Sequence, residues 1–202
     1  MKSVIKVSKM SGKLEGFRAI NFSPLESSFC QSMSKIDGSI CQSCYSVKMC
    51  KSYRKKAEPV WAKNAQLLRQ ELEDNELPRF KEGEYVRFLG HGDMDDIQQM
   101  RNFCRIAELN ENTYFSMWTK NTALVYEAQI HGWIPKNLKV IQSSIFVGID
   151  AELEDHFFSA VFTVFNSKGE IPEGHHLCHG QKCRDCMFCY SKPRGYIGEV
   201  LR

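Results

Sequence analysis

Short runs dense in aromatic and β-branched residues alternate along this chain with stretches of helical spacing. Ala19-Ile20-Asn21-Phe22-Ser23 reads as a first short strand, stopped by Pro24. From about 53 to 74 the composition turns helical. Trp61, Leu67, Leu68 and Leu72 fit one apolar face, and Pro59 suits a helix start. Tyr85 to Leu89 predicts the next strand, which ends in Gly90-His91-Gly92-Asp93. Asp95-Asp96 then caps a helix in which Ile97, Met100, Cys104 and Ala107 recur at helical spacing. Tyr114 to Trp118, Leu138 to Gln142 and Phe158 to Phe165 are further strands, with a helix over about 121–131 between the first two of these.

This alternation predicts βαβ units and a parallel sheet with right-handed crossovers. Four or five such strands make an α/β fold, either a partial (βα) barrel or a short open parallel sheet. One domain is expected: a lead-in and first cysteine loop over 1–52, a βα core over 53–165, and an irregular cysteine-rich segment over 166–202. With 202 residues the chain can bury a sizeable core.

Charge and targeting change little. A net charge of +3 neither announces nor forbids a nucleic-acid binder. The basic stretch Lys48, Lys51, Arg54, Lys55, Lys56 could meet phosphate, although a solvated helix face explains it more simply. Met1 to Lys13 lacks the apolar run of a signal peptide, and no stretch reaches the roughly 18 apolar residues of a membrane span. A cytoplasmic protein with no membrane partner is expected.

Nine cysteines change the picture more. In a reducing compartment they are metal ligands or reactive groups rather than disulfides. Cys178, Cys183, Cys186 and Cys189 include the spacing C-x-x-C-x-x-C, which lets a tight loop wrap its thiolates around one centre. Four thiolates satisfy either a tetrahedral zinc or the four irons of a cubane. Two consecutive C-x-x-C steps favour iron–sulfur over zinc. His175, His176 and His179 are read as exposed loop histidines.

Cys30, Cys41 and Cys44 form a second candidate set, which Cys50 either closes or leaves open. Three thiolates with an open position suit a reactive cluster. Cys104 lies on an apolar helix face and is expected in the core. Gly90, His91, Gly92 and Asp93 follow a strand, where ligands of parallel α/β sheets collect. The glycines would admit a ligand, Asp93 could pair with an amine, and His91 could be an acid–base group. Thr119-Lys120-Asn121 and Gln142-Ser143-Ser144 end the next two strands on the same side.

Taken in order, these motifs resemble the phage and bacterial family called gene product 88, over about residues 17–190. The resemblance is carried by Asn21-Phe22-Ser23, Cys41-Gln42-Ser43-Cys44-Tyr45, His91-Gly92-Asp93-Met94, Trp118-Thr119-Lys120 and Cys183-Arg184-Asp185-Cys186-Met187-Phe188-Cys189-Tyr190. That family looks like a shortened relative of the radical S-adenosylmethionine enzymes.

The resemblance implies a radical-SAM-like fold, a 4Fe–4S cluster on Cys30, Cys41 and Cys44, and a methionine-amine site at Gly90 to Asp93; Lys120, at the next strand end, is a further candidate for cofactor binding. The last four cysteines would hold an auxiliary cluster. The chain departs from the usual C-x-x-x-C-x-x-C, with ten residues between Cys30 and Cys41, and reads His-Gly-Asp where the relatives have Gly-Gly-Glu. Two functions follow as expectations. One is an iron–sulfur enzyme acting on an unknown substrate. The other is a metal-stapled module, with iron–sulfur or zinc, that meets a host protein or nucleic acid.

Overall fold

The computed structural model describes residues 3–154, 156–191 and 194–201. Its core is a sheet of eight strands: β1 (Ser8–Lys9), β2 (Arg18–Ile20), β3 (Tyr85–Phe88), β4 (Tyr114–Thr119), β5 (Leu138–Ser143), β6 (Ala160–Phe165), β7 (His176–Leu177) and β8 (Gly195–Val200). The spatial order is β1-β2-β3-β4-β5-β6-β8-β7. Among the described residues, only β1 runs antiparallel to its neighbouring strand, and the other strand pairings are parallel. Seven α-helical segments accompany it: α1 (Ser28–Met33), α2 (Tyr45–Lys51), α3 (Glu58–Leu68), α4 (Ile97–Glu108), α5 (Thr122–Ile130), α6 (Cys183–Cys186) and α7 (Phe188–Ser191).

Strands β2 to β6 lie side by side in chain order, so each crossover steps the same way. Right-handed crossovers that never reverse put their helices on one face of a sheet. The main core shows this. Ile20, Val86, Phe88, Phe115, Met117, Leu138 and Val140 pack there against Leu68 of α3, Met100, Phe103 and Ile106 of α4, and Val125 of α5. Alternate strand residues face the other way, as a period of two requires. On that inner side Trp118, Ile141, Ala160, Phe162 and Ile197 pack with Phe188 and Cys189, while Phe17 and Tyr85 pack with Tyr190. The last cysteine segment therefore lies against the inner face of the sheet.

The open parallel sheet is thus present, with more strands than the four or five expected. The segment 166–202 is not irregular as expected: it supplies β7, α6, α7 and β8, and β8 inserts between β6 and β7. Two glycines in Gly195-Tyr196-Ile197-Gly198-Glu199-Val200 weaken the strand signature, since glycine has no side chain to pack. At Gly198 an added Cβ would sit 2.6 Å from the Ile171 side chain, which would have to shift.

Residues 30–50 also differ from the expected loop. They fold as α1, a 3-10 turn over Ile40–Ser43, and α2. Serine caps explain it: the Ser27 hydroxyl accepts from Cys30 N, and that of Ser39 accepts from Cys41 N. Asp96 caps α4 by accepting from Gln98 N, as its sequence predicts. Among the described residues, no helix is long and apolar enough to cross a membrane.

Candidate functional site

The C-terminal ends of β3 and β4 meet through one carboxylate. After Phe88 the chain turns through Leu89 and Gly90 into His91-Gly92-Asp93. Gly92 sits at φ +70°, and a Cβ there would lie 2.6 Å from the Phe22 carbonyl oxygen, so only glycine fits. Asp93 is buried. Its Oδ1 accepts the Thr119 hydroxyl at 2.6 Å and the Met94 N–H at 2.9 Å, and its Oδ2 accepts the Lys120 N–H at 2.8 Å. Burial pushes its carboxyl above the usual carboxylate range, while these three donors pull the other way.

The first cysteine segment is fastened above this junction. Ser27 donates to Asp95 Oδ1 at 2.7 Å, and Phe29 N–H donates to the same oxygen at 2.9 Å. Arg69 pairs with the other Asp95 oxygen. Farther along, Ile40 N–H donates to the Ile145 carbonyl at 2.9 Å, which ties the segment to the loop after β5. The Tyr45 hydroxyl donates to the Gly90 carbonyl at 3.2 Å.

These fastenings bring Cys30, Cys41 and Cys44 into one electrostatic neighbourhood with Asp93 and Lys120. Burial raises the Cys30 thiol to about 12, with Asp93, Cys44 and Cys41 adding to the rise. Burial also raises Cys41, while the Lys120 ammonium pulls it down. Cys50 is buried on α2, and its thiol is pushed up to about 11 by burial and then by Glu58.

His91 is not placed as a free acid–base group. Its ring stacks on Trp61 with centroids 4.4 Å apart, and its Nδ1 lies 2.8 Å from the Ser46 hydroxyl. Burial, then the charges of Arg87 and Arg54, lower its pKa to about 4. It is therefore neutral at pH 7, with one ring nitrogen occupied in joining the βα loop to α2.

The second set occupies the inner face of the sheet. Cys178, Cys183, Cys186 and Cys189 all line one cavity of about 30 Å³, together with Lys13, Arg87, Trp118, His176 and Gln181. Met187, at φ +55°, reverses the chain between α6 and α7 and so turns Cys186 and Cys189 toward the same space. Lys13 Nζ lies 3.3 Å from Cys178 Sγ, and His176 Nε2 lies 3.1 Å from Cys186 Sγ. Burial raises Cys189 to about 12 against the pull of Arg87, and its three partner thiols add to the rise.

Two of the three histidines expected on an exposed loop are not there. His176 stacks on Phe188 at 4.2 Å, and His175 bonds Asp150 at 2.9 Å. They are held by long-range contacts that local composition does not carry. Lys13 and Arg87, both beside the second cysteine set, were missed for the same reason. Arg87 had one legible signal, a charge inside a strand. Gln142, Ser143 and Ser144 end β5, where the Ser144 hydroxyl bonds Thr163 at 2.7 Å rather than facing a cysteine set. Cys104 lies in the main core, as expected.

Among the described residues, no three His, Cys, Asp or Glu side chains stand close enough to share a single metal ion. No curated protein and no solved structure matches the chain. A family profile does match, over residues 9–192, slightly more of the chain than its motifs span. The chain belongs to the gene product 88 family.

Proposed function

We propose that this protein holds two iron–sulfur clusters, one closed and one open, and that the open one makes it a radical-SAM-like enzyme. The observation that carries the reading is the convergence of Cys178, Cys183, Cys186 and Cys189 on one cavity. Two consecutive C-x-x-C steps of thiol donors fit a cubane better than a zinc, whose closed sites favour two separated pairs. Lys13, His176 and Gln181 stand at the sulfurs as outer partners, the arrangement that orients and tunes metal ligands.

Cys30, Cys41 and Cys44 would hold the open cluster. When bound there, a 4Fe–4S cluster would supply one-electron chemistry to S-adenosylmethionine. This chain's part is to position. Gly92 lets the βα loop close on the Phe22 carbonyl, Gly90 leaves room for the Asn21 side chain, and Lys120 presents a cation beside Cys41. Asp93 braces two strand ends, since its oxygens already accept three donors, and an incoming amine would share them. The open sheet with sequential parallel strands is compatible with the partial barrel of that superfamily.

The test is analysis of protein purified without air. About eight irons and matching sulfide per chain are expected, with reductant-dependent cleavage of S-adenosylmethionine. Stoichiometric zinc and no iron would sink the cluster reading. Iron without cleavage would leave the clusters and remove the enzyme.

One observation favours a second reading, a stapled module that meets nucleic acid. Lys48, Lys51, Lys55 and Lys56 are exposed beside Tyr53, which is 71% exposed and has the Arg54 guanidinium 5.6 Å from its ring. Cations with an open aromatic suit a single strand. A salt-sensitive mobility shift with single-stranded RNA or DNA would support it.

A further inference from the structure

The inner face of the sheet carries buried polar groups that neither cysteine set accounts for. Ala19, Arg87 and Ser116 are cross-strand neighbours on β2, β3 and β4. Two residues further on, Asn21 and Trp118 continue the same face. Asn21 is 1% exposed, yet among the described residues neither its side-chain amide nitrogen nor its amide oxygen has a partner. The buried Arg87 Nε and Trp118 Nε1 are unpartnered as well.

These side chains belong to one recess. The Arg87 guanidinium lies 4.1 Å from the centre of the Trp118 ring. A Cβ on Gly90 would meet Asn21 Oδ1 at 2.8 Å and Arg87 Cδ at 3.8 Å, so the two side chains adjoin over a residue kept bare. Arg87 and Trp118 also line the cavity that the four cysteines share. No carboxylate among the described residues forms an ion pair with Arg87.

Buried polar groups are almost always hydrogen-bonded, and each exception calls for an explanation. Four of the five unpartnered atoms of Asn21, Arg87, Ser116 and Trp118 can donate: Asn21 Nδ2, Arg87 Nε, Trp118 Nε1 and Ser116 Oγ. The matching occupant is an acceptor bearing negative charge. A guanidinium stacked on an indole keeps its edge free, and that edge pairs with carboxylate or phosphate oxygens.

We propose that this recess binds the oxyanion end, carboxylate or phosphate, of a small molecule, with Arg87 as its charged anchor and Asn21 and Trp118 as further donors. That the bound molecule is a substrate rests on the enzyme reading above; the binding itself does not. The competing account makes Arg87 only a counter-charge to Cys183 and Cys189, which lie within its electrostatic reach.

The test is calorimetric titration of the anaerobically purified full chain with citrate and, separately, inorganic phosphate, against chloride at matched ionic strength. Saturable binding of at least one anion is expected, and which one binds tells carboxylate from phosphate. R87K, which keeps the charge without the fork, should weaken binding about tenfold. R87Q should abolish it, and N21A should weaken it with iron content unchanged. No saturable binding beyond chloride in the wild type would overturn the proposal, as would equal binding by R87K and N21A, even if R87Q fails to fold. Binding by a preparation devoid of iron would uphold the recess while sinking the cluster reading.

Discussion

The Nδ1 of His91 lies 2.8 Å from the Ser46 hydroxyl, which joins the loop after β3 to the helix after the first cysteine set. The contact has a pH signature. The folded pKa of His91 is about 4, against 6.5 for a free imidazole. Between those values the unfolded chain takes up a proton that the folded chain refuses. Stability is therefore lost as pH falls from 6.5 toward 4, by roughly 3 kcal/mol from this group, and is unaffected by it above 6.5. Urea unfolding at pH 7 and pH 4.5 should show this loss in the wild type and a smaller one in H91N.

Asp93 sits among donors only: the Thr119 hydroxyl and the Met94 and Lys120 N–H groups. An asparagine there would have to turn its NH2 toward one of the two backbone N–H groups in either orientation. D93N, isosteric though it is, should cost about 1–3 kcal/mol, close to D93A. Denaturant midpoints measure this, and a neutral D93N would mean that the loop can rearrange.

Gly92 and Gly132 share a left-handed backbone but not their surroundings. A Cβ on Gly92 would strike the Phe22 carbonyl at 2.6 Å, whereas one on Gly132 would meet nothing within 4 Å. G132A should cost about 1–2 kcal/mol, the conformational term alone. G92A should cost on the order of 2–4 kcal/mol, because strain and collision add. Paired thermal melts separate the two.

The cysteines should divide by variant. C44A and C186A should each remove about half of the iron, with the other half retained. Cys104, 1% exposed in the main core, should behave oppositely. C104S buries an unmatched hydroxyl and should cost about 1–3 kcal/mol while leaving the iron content intact. Iron assays with unfolding curves on the three variants check this, and loss of all iron in C44A would mean a single shared site.

Much of the fold was legible because its signals are local. The period of two at Tyr85 to Phe88, the helical spacing of Met100, Cys104 and Ala107, and the Asp96 cap each lie within a few residues. The capped turns around Cys30 and Cys41 were missed although Ser27 and Ser39 announced them, because cysteine- and serine-rich composition reads as loop. β8 was missed because its two glycines, of which Gly198 faces Ile171, dilute the alternation.

By itself the sequence determined that the chain alternates strand and helix, that two groups of cysteines have ligand spacing, and that Cys104 belongs to the core. Those properties depend on neighbours along the chain. Only the tertiary structure decided that the last four cysteines face the inner side of the sheet, that Lys13 and His176 reach their sulfurs, and that Arg87 lies over the Trp118 ring. Lys13 is 165 residues from Cys178 in the chain, and no local pattern encodes a contact that sequential parallel strands create by stacking distant segments.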